Sequence, residues 1–469
     1  MQTYREKINS LRSEKEQLEI ILSTLSNPYT RYLKKAEANC NTIAEALPNH
    51  SVLIEFFRIR MFNLEAYAKK KWNRSRYFAF ILPAGNPDGV QLVDLGDIEK
   101  IDDCIVSFKK SLTHPRIPNP EKAQMLAFQL YSHAFAPLEK GLGKTRKIFL
   151  CPDGNLNLIP FEVFRQPNAH FLVEKFIFNY LTSGRDMLGF GGESLHSSKP
   201  VVMGNPDFDL GLEDRHEILA KIDLQGEQDF STRYSRDLRG LRFKPLPGTE
   251  KEVQLISDIL GEDNIELFTG KQALEEVLVK TESPKFLHLA THGFFLADQD
   301  MRWVMRNHSD RGITVHHPKP TQFIEIENPL LRSGVALAGA NRFLEYGGRA
   351  GGIVTAEEIL GLKLHGTDMV VLSACETGLG AVKIGEGVFG LRRAFTQAGV
   401  KSLIMSMWPV PDQETSELMA EFYRNIISGK MNRAQALRQA ILRQIQIVRD
   451  RYGDTNPLYW GGFVFLGEP

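Results

Sequence analysis

An α/β fold organised around a parallel sheet is predicted by three observations. First, two short apolar runs, Phe286-Leu287-His288-Leu289-Ala290 and Met369-Val370-Val371-Leu372, have the length and composition of buried strands covered on both faces. Second, strand-like segments alternate with helix-like ones along most of the chain, the pattern of an α/β sheet. Third, the composition is that of an ordinary globular protein: of 469 residues 42% are hydrophobic and 24% charged, with a formal net charge of zero. Zero charge removes any global electrostatic case for nucleic-acid binding. The length suits two or three domains or one large composite one.

In order, residues 1–47 read as a helical N-terminal extension. Leu11, Leu18, Ile21, Leu22 and Leu25 recur at helical intervals among Glu, Lys and Arg. Pro28 breaks this helix, and Tyr32, Leu33, Ala36 and Ile43 mark a second. The charged N-terminus lacks the basic-then-apolar pattern of a secretory signal. No apolar run of about 18 residues is present to span a membrane, and no 34-residue repeat is visible. Strands are expected at 52–57, 77–82 and 90–95, with a turn cluster at 84–89. Helices follow near 97–112 and 119–141, then a strand at 147–150. The Gly- and Ser-rich stretch 183–200 reads as a boundary loop, dividing the chain into regions 1–47, 48–190 and 191–469.

The third region opens with a strand at 201–206. Residues 207–245, with Arg233, Arg236, Arg239 and Arg242, read as a solvated loop, a regulatory or cleavable loop being the alternative. A helix then runs to about 260, with Thr249 expected as N-cap and Glu252 completing a capping box. A strand at 265–268 and a helix at 271–280 lead to the run at 286–290. The irregular stretch 297–327, which holds Trp303, His308, His316 and His317, has the length of a lid or binding loop and is expected to border a substrate groove. The glycine-rich stretch 347–352 is a second candidate for a mobile or cleavable loop, before a helix at 355–360. Past residue 380, the glycines at 385 and 387 bound a loop without the Gly-Lys-Ser/Thr of a P-loop. A helix at 388–398, a strand at 402–408 and helices at 412–428 and 431–450 complete the chain, their apolar stripes reading as core.

The candidate chemistry lies at the ends of the two apolar runs. The first continues into Thr291-His292-Gly293, the second into Ser373-Ala374-Cys375-Glu376-Thr377-Gly378. In parallel α/β sheets function gathers at the carboxyl edge of the strands. If the two strands are neighbours, His292 and Cys375 emerge together as a base and a nucleophile. His288, four residues earlier on a strand, sits at a different depth and reads as a buried, hydrogen-bonded support. The four cysteines, Cys40, Cys104, Cys151 and Cys375, show no CxxC spacing, which argues against a disulfide scaffold and a zinc site and suits a reducing cytoplasm. Cys151 precedes Pro152 with no strand-His-Gly before it and reads as core.

These motifs resemble the CHAT-domain peptidases, caspase-like cysteine proteases related more distantly to separase and the metacaspases. The likeness rests on Leu289-Ala290-Thr291-His292-Gly293-Phe294 and Leu372-Ser373-Ala374-Cys375-Glu376-Thr377-Gly378. It extends through Asn328-Pro329-Leu330-Leu331-Arg332-Ser333-Gly334, Leu391-Arg392-Arg393-Ala394-Phe395, Trp408-Pro409-Val410-Pro411-Asp412 and Trp460-Gly461-Gly462-Phe463. It implies a caspase-like three-layer α/β/α sandwich, with 48–190 as a pseudo-caspase-like α/β unit and 191–469 as the active CHAT unit. It implies a cysteine endopeptidase acting through an acyl-enzyme on Cys375, with His292 as base and the backbone N–H groups of Gly293 and Cys375 as oxyanion hole. Ser373, Trp408 and Asp412 are the implied substrate-binding residues. Ser373 stands two before the cysteine, where metacaspases tend to place Asp, which weakens a basic P1 preference. Asp412 either receives a basic P1 side chain or caps its helix, and its N-cap chemistry favours the cap. The resemblance further implies no cofactor, a cytoplasmic protein substrate (a gasdermin-like effector among the kinds), an activating partner or upstream TPR or sensor domain, and a role in bacterial cell death or defence. Two other readings stand beside it: a catalytically silent scaffold that binds protein partners, and an acyl transferase acting on a small metabolite.

Overall fold

A computed structural model describes residues 35–62, 72–113, 120–191, 198–222, 234–238, 240–296, 328–346, 351–373, 375–376 and 387–469. The irregular stretch 297–327, most of the N-terminal extension, and the loop at 377–386 lie outside the described residues.

The first half supplies β1 (Ser51–Phe62), β2 (Trp72–Pro83), β3 (Gln91–Asp97), β4 (Lys147–Cys151) and β5 (Ile177–Tyr180). The second supplies β6 (Val201–Pro206), β7 (Glu266–Gly270), β8 (Phe286–Ala290), β9 (His292–Phe295), β10 (Ser333–Ala336), β11 (Ile353–Thr355), β12 (Met369–Leu372), β13 (Cys375–Glu376), β14 (Ser402–Ser406) and β15 (Phe463–Gly467). Eleven strands make one sheet in the order β3-β2-β1-β4-β5-β15-β14-β12-β8-β6-β7. It is mostly parallel; β2 and β3 at one edge, and β15 against β14, are antiparallel. The two halves share this sheet, because C-terminal β15 pairs parallel with β5, Leu466 opposite Tyr180.

Alternation along the strands sends successive side chains to opposite faces. In β1 and β2, Val52, Ile54, Phe56, Tyr77, Ala79 and Ile81 turn to one core, which also holds Ile101, Ile105 and Phe108 of α2 (Ile98–Thr113). Leu53 and Leu82 turn the other way, where Ala44 of α1 (Cys40–Ala46) covers them together with Cys151. Cys151 is thus a packed core residue whose thiol burial pushes its pKa well up. Within the expected helical extension only α1 is described, opened by a capping box in which the Asn39 side chain accepts from the Asn41 and Thr42 N–H groups. The expected helix over 119–141 is broken: α3 (Pro120–Leu130) passes into a π turn at Tyr131–Phe135 and a 3₁₀ turn at Ala136–Leu138, where Pro137 cannot donate to the helical ladder.

In the second half, α4 (Pro247–Leu260), α5 (Gly387–Gln397), α6 (Asp412–Ile427) and α7 (Arg433–Tyr452) pack on the sheet. The capping box expected at Thr249 is not formed. Pro247 occupies the first helical position, Leu246 is the N-cap, and no side chain caps the helix. Thr249 instead donates to the Leu246 carbonyl at 2.7 Å and accepts from the Asn205 N–H. Glu252 turns inward to His288, which is fully buried on β8: Nε2 lies 3.1 Å from Glu252 Oε1 and Nδ1 3.0 Å from the Tyr423 hydroxyl of α6. This buried polar bridge ties the central strand to two helices with both ring nitrogens satisfied.

Tyr423→Phe keeps the ring packing and leaves a buried His288 nitrogen without its partner. We expect it to cost about 1–3 kcal/mol, seen as a lower urea midpoint with unchanged slope; an unaltered midpoint refutes the bridge.

Candidate active site

β8 and β12 lie side by side and parallel, with Val371 opposite His288 and Leu372 opposite Leu289. All residues of both strands are buried, which is why two short apolar runs sufficed to make them. Both chains therefore leave the main sheet at the same edge. There they enter a second sheet, β11-β10-β9-β13, in which Cys375 is paired with His292 and Glu376 with Gly293. Adjacent strands are about 4.8 Å apart, so the backbones of the two candidate catalytic residues are neighbours. β9 is held on its other side by β10, Ala336 opposite His292 and Val335 opposite Gly293. The Thr291 hydroxyl adds a bond to the Ala336 carbonyl.

The imidazole of His292 is only 5% exposed. It packs against two phenyl rings that also touch each other, Phe208 with centroids 5.2 Å away and Phe243 at 5.6 Å, the two phenyls being 5.8 Å apart. Nε2 is 2.7 Å from the Lys244 carbonyl oxygen. A carbonyl only accepts, so Nε2 carries the proton and the neutral ring keeps its lone pair on Nδ1. That Nδ1 is buried and has no hydrogen-bond partner. No carboxylate hydrogen-bonds the ring among the described residues. Burial lowers the His292 pKa from its ordinary value; the bond to the Lys244 carbonyl and the more distant charge of Asp412 oppose this without reversing it. The ring is thus neutral at pH 7, with its free lone pair on a fixed nitrogen.

The remaining expected site residues divide. Ser373 is 4% exposed, donates its N–H to the Leu289 carbonyl at 3.0 Å, and has a hydroxyl without a partner. Asp412 does not cap its helix: Pro411 is the N-cap and makes no side-chain cap bond, so the cap favoured from sequence is overturned. Asp412 is the first helical residue, where an acid complements the macrodipole. Its carboxylate packs on Gly248, where a Cβ would come within 2.2 Å of its Oδ2, so α4 and α6 meet at this point only because residue 248 has no side chain. Trp408, expected against substrate, is in the core. It is 1% exposed, meets Phe108 edge-on at 6.2 Å, and points Nε1 at the Leu458 carbonyl. Phe208, Phe243 and Lys244 were not foreseen. They come from the stretch 207–245 that reads as a solvated loop, and its only hint was aromatic residues among the arginines.

A family profile for the CHAT domain matches residues 124–468, well over half of the chain. The chain belongs to the CHAT family. Among curated proteins, tetratricopeptide repeat protein 28 of human is 24% identical over 360 residues and that of mouse 23% over 357. Each alignment covers 72% of this chain and 13% of the relative, so the chain spans about an eighth of those relatives' length. Among solved structures, the separase of a Saccharomyces cerevisiae separase–securin complex aligns over 94% of this chain and 31% of its own, at 10% identity and TM-score 0.48. The Arg-specific cysteine proteinase gingipain R aligns over 79% and 74%, at 8% identity and TM-score 0.39. As a CHAT protein the chain has an α/β fold with a central, mostly parallel sheet, and no described helix is long and apolar enough to cross a membrane.

The depressed His292 pKa has a definite sign. As pH falls, the unfolded chain, with a histidine near 6.5, takes up its proton before the folded one. Stability attributable to this residue is therefore intact above about pH 6.5 and declines as pH drops below it. NMR titration should place the His292 midpoint below that value, and Phe208→Ala, which admits water to the ring, should move it up; a midpoint at or above 6.5 in the unmutated protein contradicts the burial argument.

Proposed function

We propose that the chain is a cysteine endopeptidase with Cys375 as nucleophile and His292 as general base. The observation that carries this is the register of Cys375 with His292 across β9 and β13, next to a buried ring whose Nδ1 lone pair is unengaged. In this reading Nδ1 accepts the thiol proton as Sγ bonds to the scissile carbonyl carbon. The carbonyl oxygen takes the electron pair and is held by the Gly293 and Cys375 N–H groups. Collapse of the adduct breaks the C–N bond, His292 returns the proton to the leaving amine, and a thioester remains on Cys375. Water, deprotonated by His292, releases the acid product. Burial and the lack of a bonded acid favour a neutral ring in the resting site, so deprotonation accompanies attack and no thiolate–imidazolium pair need be stored.

For the P1 pocket we propose Ser373 as a wall and Asp412 as the charged end. The Asp412 side chain is exposed, has no hydrogen-bond partner among the described residues, and stands within electrostatic reach of His292. A basic P1 side chain supplies the missing partner. The expected link to bacterial cell death or defence, and to a gasdermin-like substrate, rests on the family resemblance alone; the curated relatives, from human and mouse, bear on neither. Activation by a partner or by a repeat domain is likewise a proposal, consistent with relatives named for tetratricopeptide repeats.

A diverse peptide library digested by the wild-type chain and by Cys375→Ala, read by mass spectrometry, tests the activity: cuts that vanish in the variant are expected. Labelling of Cys375 by small acyl donors but not by a peptidyl electrophile points to the metabolite acyl transferase instead, and absence of both to the scaffold. On the same library Asp412→Asn should lower kcat/KM at Lys and Arg P1 sites by roughly fivefold, the loss of about 1 kcal/mol for an ion pair at an exposed acid. Unchanged P1 preference removes Asp412 from the pocket.

A further inference from the structure

A buried charge remains that the catalytic reading does not use. Arg392 of α5 is 7% exposed, and the one bond its guanidinium makes among the described residues runs from Nη1 to Asn157 Oδ1 at 3.3 Å. A buried guanidinium with five donors and no carboxylate is costly unless something else completes it. The acid in electrostatic reach, Asp186, is committed elsewhere: it pairs with Lys35 at 2.7 Å and accepts from the Thr182 and Ser183 N–H groups. Asn157 is fixed as well, donating to the Pro152 and Gly154 carbonyls, so its oxygen is aimed at Arg392 by design of the loop.

Arg392 lines a cavity of about 580 Å³ between α5 and the loops that follow β4 and β5. Arg393, Gln397 and Thr182 share its wall, and none of these three side chains has a partner among the described residues. No acidic residue is among its described lining residues; Arg392, Thr182 and Gln397 also border an adjoining cavity, where Asp186 and Glu468 are accompanied by Lys35 and Lys401. Leu181 and Leu330 add an apolar side. Two arginines, an amide and a hydroxyl lining one cavity, with the nearest acid, Asp186, already paired, form a set of donors for a tetrahedral anion. The volume lies within the range of about 300–1,000 Å³ typical of small-molecule sites.

We propose that this cavity is a binding site for the phosphate group of a small molecule, with Arg392 as the buried anchor and Arg393, Gln397 and Thr182 as rim donors. The site is built by both halves of the chain. Burial, opposed by the charges of Tyr180, Cys151 and Asp186, pushes the Arg392 pKa down to about 10, still charged at neutral pH.

The probes are inorganic phosphate and ADP, titrated calorimetrically into the full chain at constant ionic strength against a chloride control. One saturable site is expected, with a Tm rise of about 2–3 °C at a hundredfold excess over Kd. Equal affinity for the two probes marks free phosphate as the ligand, and tighter ADP marks a phosphate ester; both support the site. Arg392→Met should weaken binding at least tenfold. Because a buried arginine can be needed for folding, Arg393→Ala and Gln397→Ala, both at exposed positions, form the second arm, and each should weaken binding several-fold at unchanged Tm of the unliganded chain. Absence of saturable binding in the wild-type chain, or binding indifferent to all three variants, overturns the proposal.

Discussion

The parallel pairing of β8 with β12 is the constraint on which the rest of the site depends. A one-residue slip would carry His288 off the face where Glu252 and Tyr423 wait for it and leave a buried ring unsatisfied. Register is thus fixed in the core by a polar bridge rather than by the apolar residues alone, which any slip would bury almost as well. With the strands fixed, their ends are fixed, and the short β9 and β13 can pair only with Cys375 facing His292. The second sheet then needs little energy of its own: β13 is two residues long, and its partner β9 is stapled on the far side by β10 and the Thr291 hydroxyl.

The environment of His292 follows from who surrounds it. Packed on two phenyl rings and bonded to a carbonyl, the ring is held neutral with a known tautomer. Three residues from one segment do this, two by their rings and one by its backbone. The Lys244 contribution is a main-chain oxygen, so the identity of that side chain is immaterial to it. Such a ring is positioned for taking a proton from a group arriving at Nδ1, and it has no acid to share the charge afterwards. The Asp412 charge acts only at a distance, softening the cost of the cation without cancelling burial.

How much of this was legible in the sequence differs by element. The main strands and most helices were, because burial on both faces writes itself as runs such as 286–290 and 369–372. The small sheet was not. β9, β10, β11 and β13 have two to four residues each, too short for any period to show, and β13 contains only Cys375 and Glu376. β5 and β15, though part of the main sheet, were not foreseen either. His288 was legible as a support because a polar residue inside an apolar run must be satisfied. Its partner Glu252 was misread, since Thr-x-x-Glu is equally the signature of a capping box and only Pro247 at the first helical position decides against it. Phe208, Phe243 and Lys244 lay hidden because a carbonyl has no sequence signature and two phenylalanines in a charged stretch read as ordinary loop residues.

Asp412 shows how a local rule yields to a tertiary one. Its residue type, at the head of a helix, satisfies every criterion for a cap, yet the chain places Pro411 there and moves the acid one position inward. The reason lies across the interface. α4 also begins at this point, with Pro247 and Gly248, and the Gly248 backbone comes against the Asp412 side chain so closely that any Cβ would collide with it. Two helix N-termini thus converge beside one carboxylate, each favouring negative charge. A capping geometry would turn that carboxylate back onto its own helix and away from the sheet edge. Held as it is, the acid stays exposed, without a hydrogen-bonded partner among the described residues, and within electrostatic reach of His292.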